Sequence, residues 1–287
     1  MRAFAYERPE SLAEAVGLLT EHGPEARLLA GGTDLIIRLR DGTIRPRVVV
    51  DVKRIRELDD GIRQTGAGLT IGARATMTAI GADERIRRDF TALAEAAAVV
   101  GAVQIRNRAT LAGNTCNASP AADTVPALLA FDAVVVAAGP AGERRIRVND
   151  LLVRSGVTTL TQGELVTAIE LPQPDVARSS VHLRRTRRRG HDLAAVTVAC
   201  VVRADGSTRI AYGSLGPRPV LVGDDSGLLA DPAVPDDAKA ALLAELFTGA
   251  SPSPRSMRAS PDYRVAMLHV LGLRAVRAAM GRLTGPP

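Results

Sequence analysis

The sequence predicts an α+β protein of two domains, and three observations carry that expectation. Up to about residue 176, short apolar strands alternate with helical stretches. Pro172 and Pro174 then interrupt a strand, because proline cannot donate to a ladder and so cannot continue a central strand. Beyond them an antiparallel hairpin comes first and two helical runs follow, the order expected of α+β. The length, 287 residues, suits about two domains at roughly 100 to 200 residues each.

Each element has a local reason. Ser11 and Glu14 form a capping-box pattern, in which each side chain satisfies a free amide, and they open a helix that ends near Gly23. Arg27–Ala30 reads as a strand, Gly31-Gly32-Thr33 as a tight turn, Asp34–Arg40 as a short helix and Arg47–Val52 as a buried strand rich in Val. A strand at Leu69–Ala73 and helices at Thr76–Ala82 and Thr91–Gly101 come next. The helix Ala121–Phe131 follows, with Pro126 early in it. Ala133–Ala138 and Arg144–Val148 pair around Gly139-Pro140-Ala141-Gly142, and Glu164–Leu171 is a further strand. In the second half, Ala194–Val202 and Thr208–Leu215 alternate about Asp205-Gly206. The helices Asp236–Leu246 and Pro261–Leu283 close the pattern.

Composition excludes several functions. Hydrophobic residues make up 46% and charged residues 24%, a globular balance and not a disordered one. No apolar run approaches the roughly 20 residues that cross a bilayer, and the first residues lack the apolar stretch of a signal peptide. No membrane span and a cytoplasmic location are expected. Only two cysteines are present, Cys116 and Cys200, so neither a CxxC pair nor a four-thiolate cluster can be built from this chain. Any redox chemistry must use a bound organic cofactor. The net charge of +6 is almost wholly arginine spread along the chain, with Lys53 and Lys239 the only lysines. Three Tyr, four Phe and no Trp leave few platforms for stacking bases, so no nucleic-acid partner is expected.

Two segments invite a ligand. In Leu28-Leu29-Ala30-Gly31-Gly32-Thr33-Asp34-Leu35 a strand runs through paired glycines into a helix, presenting unpaired backbone N–H groups to an anion. The same pattern also serves as an ordinary Gly-Gly turn. The second segment runs from Ile105 through Thr110, Leu111, Ala112, Gly113 and Asn114 to Asp123, polar and without periodicity. It is either a structured loop capping the following helix or a second clamp on the same ligand. In the clamp reading the loop fits a pyrophosphate and Asp123 accepts ribose hydroxyls.

These two motifs, at this separation, resemble the FAD-binding subunit of the molybdenum hydroxylases, the family of xanthine dehydrogenase and carbon monoxide dehydrogenase. Further matching pieces are Gly163-Glu164-Leu165-Val166 with Glu170-Leu171-Pro172, Arg184–Arg189 with His191-Asp192-Leu193-Ala194, Gly216–Pro219, and Ser260–Arg264. The resemblance covers nearly the whole chain. It implies a two-part FAD domain of the vanillyl-alcohol-oxidase (PCMH) type over residues 1–176, its parts about 1–53 and 54–176. A smaller C-terminal α+β domain with an antiparallel sheet and helices would take 177–287. It also implies that Leu28–Leu35 and Thr110, Ala112, Gly113 and Asn114 hold FAD, with the pyrophosphate on Ala30–Asp34 and Thr110–Asn114. Asp123 would take the adenosine side, Val166 would lie beside the cofactor, and Arg184 would fall where some relatives place a cation near the flavin. Ala112 stands where the family's second loop has a glycine; if that position needs positive φ, alanine is strained there.

The function so implied is an FAD-carrying electron-transfer subunit. Molybdopterin would sit on a large partner subunit and 2Fe-2S clusters on a small one, in a dimer of heterotrimers. The cluster thiolates missing here fit that division. No general base and no metal are needed on this chain, and its four histidines lack metal spacing. Cys116 reads as an inert apolar filler. The run Arg184–Arg189, five arginines in six positions, reads as a solvated face and a contact to a partner subunit before a guide for a nicotinamide acceptor. With few aromatics, the flavin should be held by backbone amides and small aliphatic residues. Rival readings are a scaffold of the same fold that has lost FAD and a self-standing FAD reductase or oxidase.

Overall fold

The computed structural model describes residues 2–188 and 190–285; Met1, Arg189, Pro286 and Pro287 lie outside the described residues. Among these residues the chain builds three main sheets. The first is a small parallel sheet in which Val48–Asp51 lies between Ala5–Glu7 and Ala26–Leu29. The helix Leu12–His22 packs against it through Ala15 and Leu19. Ser11 Oγ accepts from the Glu14 amide at 3.2 Å, but the Glu14 carboxylate reaches Glu10 N at 2.9 Å, one residue before the Ser11 amide that a capping box uses.

The second sheet is antiparallel, in the order Ile62–Thr65, Gly68–Gly72, Leu165–Pro172, Val134–Gly139, Gly142–Arg147. Its core is shared with the helices Met77–Ala82, Glu84–Asp89, Thr91–Ala98 and Thr124–Ala130. Thr91–Ala98 stops three residues short of the expected Gly101, because the chain turns through Val99 and Val100 into Gly101, which has φ 54°. Thr124–Ala130 starts three residues later than expected, and Pro126 falls in its first turn, where its missing N–H has no helical partner to lose.

The third sheet, also antiparallel, runs Arg178–Arg185, Val196–Arg203, Thr208–Gly213, Val220–Asp224, and the helices Asp236–Leu246 and Pro261–Thr284 cover one face. Both faces are buried, and the two-residue period of Val196–Arg203 shows how. Val198, Cys200 and Val202 join the apolar cluster under the helices, while Ala199 and Val201 join the cluster of the first two sheets. The strand Arg178–Arg185 is absent from the sequence reading, and it divides the arginine run. Arg184 and Arg185 end the strand, Arg187 and Arg188 lie in the following bend, and Arg189 is outside the described residues. No helix is long and apolar enough to cross a membrane among the described residues.

Candidate functional site

The parallel pairing of Leu28 with Val50 and Leu29 with Asp51 delivers the chain to Gly31 and Gly32. Both glycines are required there. A Cβ on Gly31 would stand 2.0 Å from the Arg108 carbonyl oxygen, and Gly32 has φ 78°, which favours glycine. Among the described residues no protein acceptor reaches the amides of Gly31, Gly32, Thr33 and Asp34. The helix Leu35–Arg40 follows, with Ile36 N donating to Gly32 O at 3.0 Å.

The second segment is more ordered than its sequence suggests. It carries two short helices, Val103–Arg106 and Leu111–Cys116, where a structured loop was expected. Thr110 pairs with Thr76 in an isolated bridge, and Met77 N donates to Ala109 O at 2.8 Å. Thr110 Oγ1 caps the second helix by accepting from Gly113 N at 3.0 Å. Ala112 is thus a buried helical residue, and the anticipated alanine strain is absent. A left-handed alanine does occur nearby, at Ala118 with φ 47°. Asn114 Oδ1 accepts from Thr124 Oγ1 at 2.7 Å, tying the segment to the helix that begins beside Asp123. Asn117 Nδ2 donates to Asp34 Oδ1 at 3.2 Å and ties it to the first loop.

The two segments thereby enclose a cleft of about 420 Å³, within the range of cofactor sites. Its wall includes Leu28, Ala30 through Leu35, Thr110, Ala112, Gly113, Asn114, Asp123 and Val166. Leu29 and Arg184 are not on the wall. The strand's alternation turns Leu29 away, and its side chain packs against the position a Gly32 Cβ would take. Arg184 lies behind Asp123. Residues the sequence reading did not assign to the site are also on the wall, chiefly Val52 just after the strand Val48–Asp51, Leu58 in the connection between the first two sheets, Ala73 just after the strand Gly68–Gly72, and His191, Asp192 and Leu193 from the C-terminal part. The His191–Leu193 block was the available signal for the last three, since it stands among the matching pieces. Among the described residues no Phe, Tyr or Trp lines the cleft; its walls are glycine backbone, small polar groups and aliphatic side chains, together with Arg27, Arg38, His191 and the carboxylates of Asp34, Asp123 and Asp192.

The electrostatics centre on Asp123. Its Oδ2 accepts from Arg184 Nη1 at 2.8 Å, while its Oδ1 is buried without a hydrogen-bond partner. Burial pushes this carboxyl up to about 6, with Arg184 pulling in the other direction. Oδ1 stands 3.8 Å from His182 Nε2, which is engaged with Thr197 Oγ1 at 2.9 Å. Burial, with the Arg184 charge, holds His182 down at about 3, so the imidazole is neutral and this approach is no ion pair. Burial likewise pushes the Cys116 thiol up to about 12, which leaves it inert at neutral pH. Arg187 donates to Asp192 at 3.2 Å and Arg188 to the His191 carbonyl at 3.1 Å, so the arginine bend braces the cleft wall. Among the described residues no three His, Cys, Asp or Glu side chains stand where they could hold a metal ion.

The sequence matches the FAD-binding domain in molybdopterin dehydrogenase over residues 2–174 and the carbon monoxide dehydrogenase flavoprotein C-terminal domain over residues 181–279. It is 30% identical to the xanthine dehydrogenase FAD-binding subunit of Escherichia coli O157:H7, covering 97% of this chain and 98% of that one. It is 31% identical to the carbon monoxide dehydrogenase medium chain of Afipia carboxidovorans, with 98% of each covered. Among solved structures, a chain of carbon monoxide dehydrogenase from Hydrogenophaga pseudoflava superposes with a TM-score of 0.90 at 28% identity, covering 99% of each chain. A chain of quinoline 2-oxidoreductase from Pseudomonas putida 86 gives 0.87 at 28% identity, again over 99% of each. The family patterns fall on both parts of the chain, and the first contains both glycine segments: the chain belongs to the FAD-binding subunits of the molybdenum hydroxylases.

Proposed function

We propose that this chain holds FAD in the cleft between the two glycine segments and serves as the electron-transfer subunit of a molybdopterin-dependent dehydrogenase. The observation that carries the reading is the convergence of Gly31 on Arg108, which puts four acceptor-free amides beside a cleft of cofactor size. In this reading Ala30–Asp34 and Thr110–Asn114, with Leu28 and Leu35 flanking the first loop, take the pyrophosphate and its neighbouring groups. Asp123 takes a ribose hydroxyl, and Val166 with the aliphatic wall takes the ring system. The residues fit the group: the amides suit phosphate oxygens, and the buried, unpartnered Asp123 Oδ1 suits a hydroxyl donor.

Bound FAD exchanges electrons singly with one-electron centres and in pairs with a two-electron acceptor. The chain's own contribution is to bind and orient the cofactor and to keep water from its buried side. The domain boundary is placed near residue 176, between parts 1–176 and 177–287, and the 1–176 part is taken as two subdomains meeting near residue 53. The partners are a large molybdopterin subunit and a small iron–sulfur subunit in a heterotrimer that pairs into a dimer. A cytoplasmic location belongs to the same proposal, since the unpaired thiols of Cys116 and Cys200 suit a reducing compartment. Co-purification from the native host tests the assembly: a molybdenum-bearing and an iron–sulfur-bearing chain should accompany this one in equal ratio. A chain isolated repeatedly without either would contradict it.

A further inference from the structure

We infer that Arg184 is a positioning residue: it pins Asp123 Oδ2 from the C-terminal sheet, leaves Oδ1 as the acceptor for a ligand hydroxyl, and so ties FAD retention to the ionisation of Asp123. The inference rests on the flavin reading above and adds to it the regulation of that site. It also departs from what the family resemblance implies, because Arg184 is not on the cleft wall and its guanidinium is committed to Asp123 at 2.8 Å.

The geometry supports this in three ways. First, the pair spans the molecule: Asp123 precedes the helix Thr124–Ala130 on the wall of the cleft, and Arg184 lies on the strand Arg178–Arg185 of the C-terminal sheet. Second, Asp123 is nine-tenths buried yet has one oxygen with no donor, an arrangement that costs free energy until a partner supplies a hydrogen bond. Third, the neighbouring imidazole does not answer that need. His182 Nε2 is 3.8 Å away, bonded to Thr197 and uncharged.

A buried carboxylate with a single partner ionises reluctantly, and burial does raise the Asp123 carboxyl to about 6. A ligand hydroxyl on Oδ1 stabilises the ionised form, so FAD binding must expel a proton wherever Asp123 is still protonated, and affinity must rise with pH up to the carboxyl's own midpoint. The charged and titratable groups facing this carboxyl are Arg184 and His182 of the strand Arg178–Arg185; Thr197 of Val196–Arg203 carries no charge. Arg27, Asp34, Arg38, His191, Asp192 and Cys116 share the cleft wall, with Arg27 donating to the Pro24 and Ala26 carbonyls, Asp34 held by Asn117 and Asp192 by Arg187.

The test is FAD binding to the full chain by flavin fluorescence between pH 5 and 8, with calorimetry at pH 6 in two buffers of different ionisation enthalpy. Wild-type affinity should rise about tenfold per pH unit at the acid end and level off above about pH 7, with net proton release on binding at pH 6. Arg184→Met should weaken binding and move the midpoint to higher pH, and Arg184→Lys should restore it. Asp123→Asn should bind weakly with the rise abolished. A wild-type profile flat from pH 5 to 7 without proton release, or Arg184→Met with the wild-type profile, overturns the inference. Wild type that binds no FAD at any pH overturns the flavin reading and this inference with it, an outcome distinct from tight binding that is independent of pH.

Discussion

Gly31 and Arg108 stand backbone to backbone, so close that a Cβ on Gly31 would lie 2.0 Å from the Arg108 carbonyl oxygen and 3.0 Å from Ala109 Cα. The obstacle is main chain on both sides, which cannot swing away as a side chain can. Gly31→Ala should therefore push the two segments apart, at a cost on the order of 1 to 3 kcal/mol. FAD content should drop at least tenfold. Urea unfolding together with the flavin-to-protein ratio measures both, and a Gly31→Ala protein with wild-type flavin content would contradict the convergence of the loops.

Ala112 and Ala118 make an opposed pair. Ala112 is helical and buried, so Ala112→Gly loses helix propensity and a buried methyl, roughly 1 to 2 kcal/mol in all. Ala118 is buried too but sits at φ 47°, where glycine relieves about 1 kcal/mol of strain. Ala118→Gly should cost at least about 1 kcal/mol less than Ala112→Gly in the same denaturation assay. Restoring the glycine of the family's second loop at position 112 should not tighten FAD binding.

Much of this was legible in the sequence, and the failures have physical reasons. The Ser11 cap, the Val48–Asp51 strand and the hairpin around Gly139–Gly142 come from local signals that tertiary packing does not override. The helix Leu111–Cys116 escaped notice because its Thr, Asn and Gly give no apolar period, although Thr110, three residues before Gly113, is a cap in plain view. The strand Arg178–Arg185 was hidden for a related reason. Its buried polar residues, Ser180 and His182, are satisfied by Ala92 and Thr197 on other segments, which no local pattern announces. Both glycine loops were legible as ligand candidates, but that they touch each other, and that Arg184 stands behind Asp123, are tertiary facts.

Glu164 anchors the turn that feeds Val166 into the cleft. Arg144 grips it through two nitrogens at 2.6 and 2.8 Å, and Thr161 N donates at 2.6 Å. The Arg144 hydrogen bonds hold its carboxyl down at about 2. A depressed acid stabilises the fold above its ordinary range, and that stability is lost as the pH falls toward about 2. Arg144→Met should therefore move the acid-unfolding midpoint, followed by circular dichroism, to higher pH, with little change near neutrality beyond the lost pair. An unchanged midpoint would show that Arg144 does not hold the carboxylate.

Arg178 lies between Phe90 and Phe131, 4.6 and 4.9 Å from their ring centroids, joining the C-terminal sheet to the helices of the first part. Its Nε and Nη2 are buried without partners, and burial lowers the guanidinium to about 10, still a cation at neutral pH. The stacking gain and the desolvation cost oppose each other, so Arg178→Met, which keeps the packing, should change stability by no more than about 1 kcal/mol. Arg178→Ala leaves a void and should cost about 2 kcal/mol or more. Equal losses in the two variants, read from urea midpoints, would mean that charge and not volume holds this joint.

FAD in the cleft between Gly31 and Asp123 is read from the absorbance spectrum of the purified chain. The expected outcome is a yellow protein with a flavin band at ~450 nm and about one FAD per chain, or a colourless one that reaches that ratio on incubation with FAD. A chain that is folded, colourless and still flavin-free after incubation at pH 8 would contradict it.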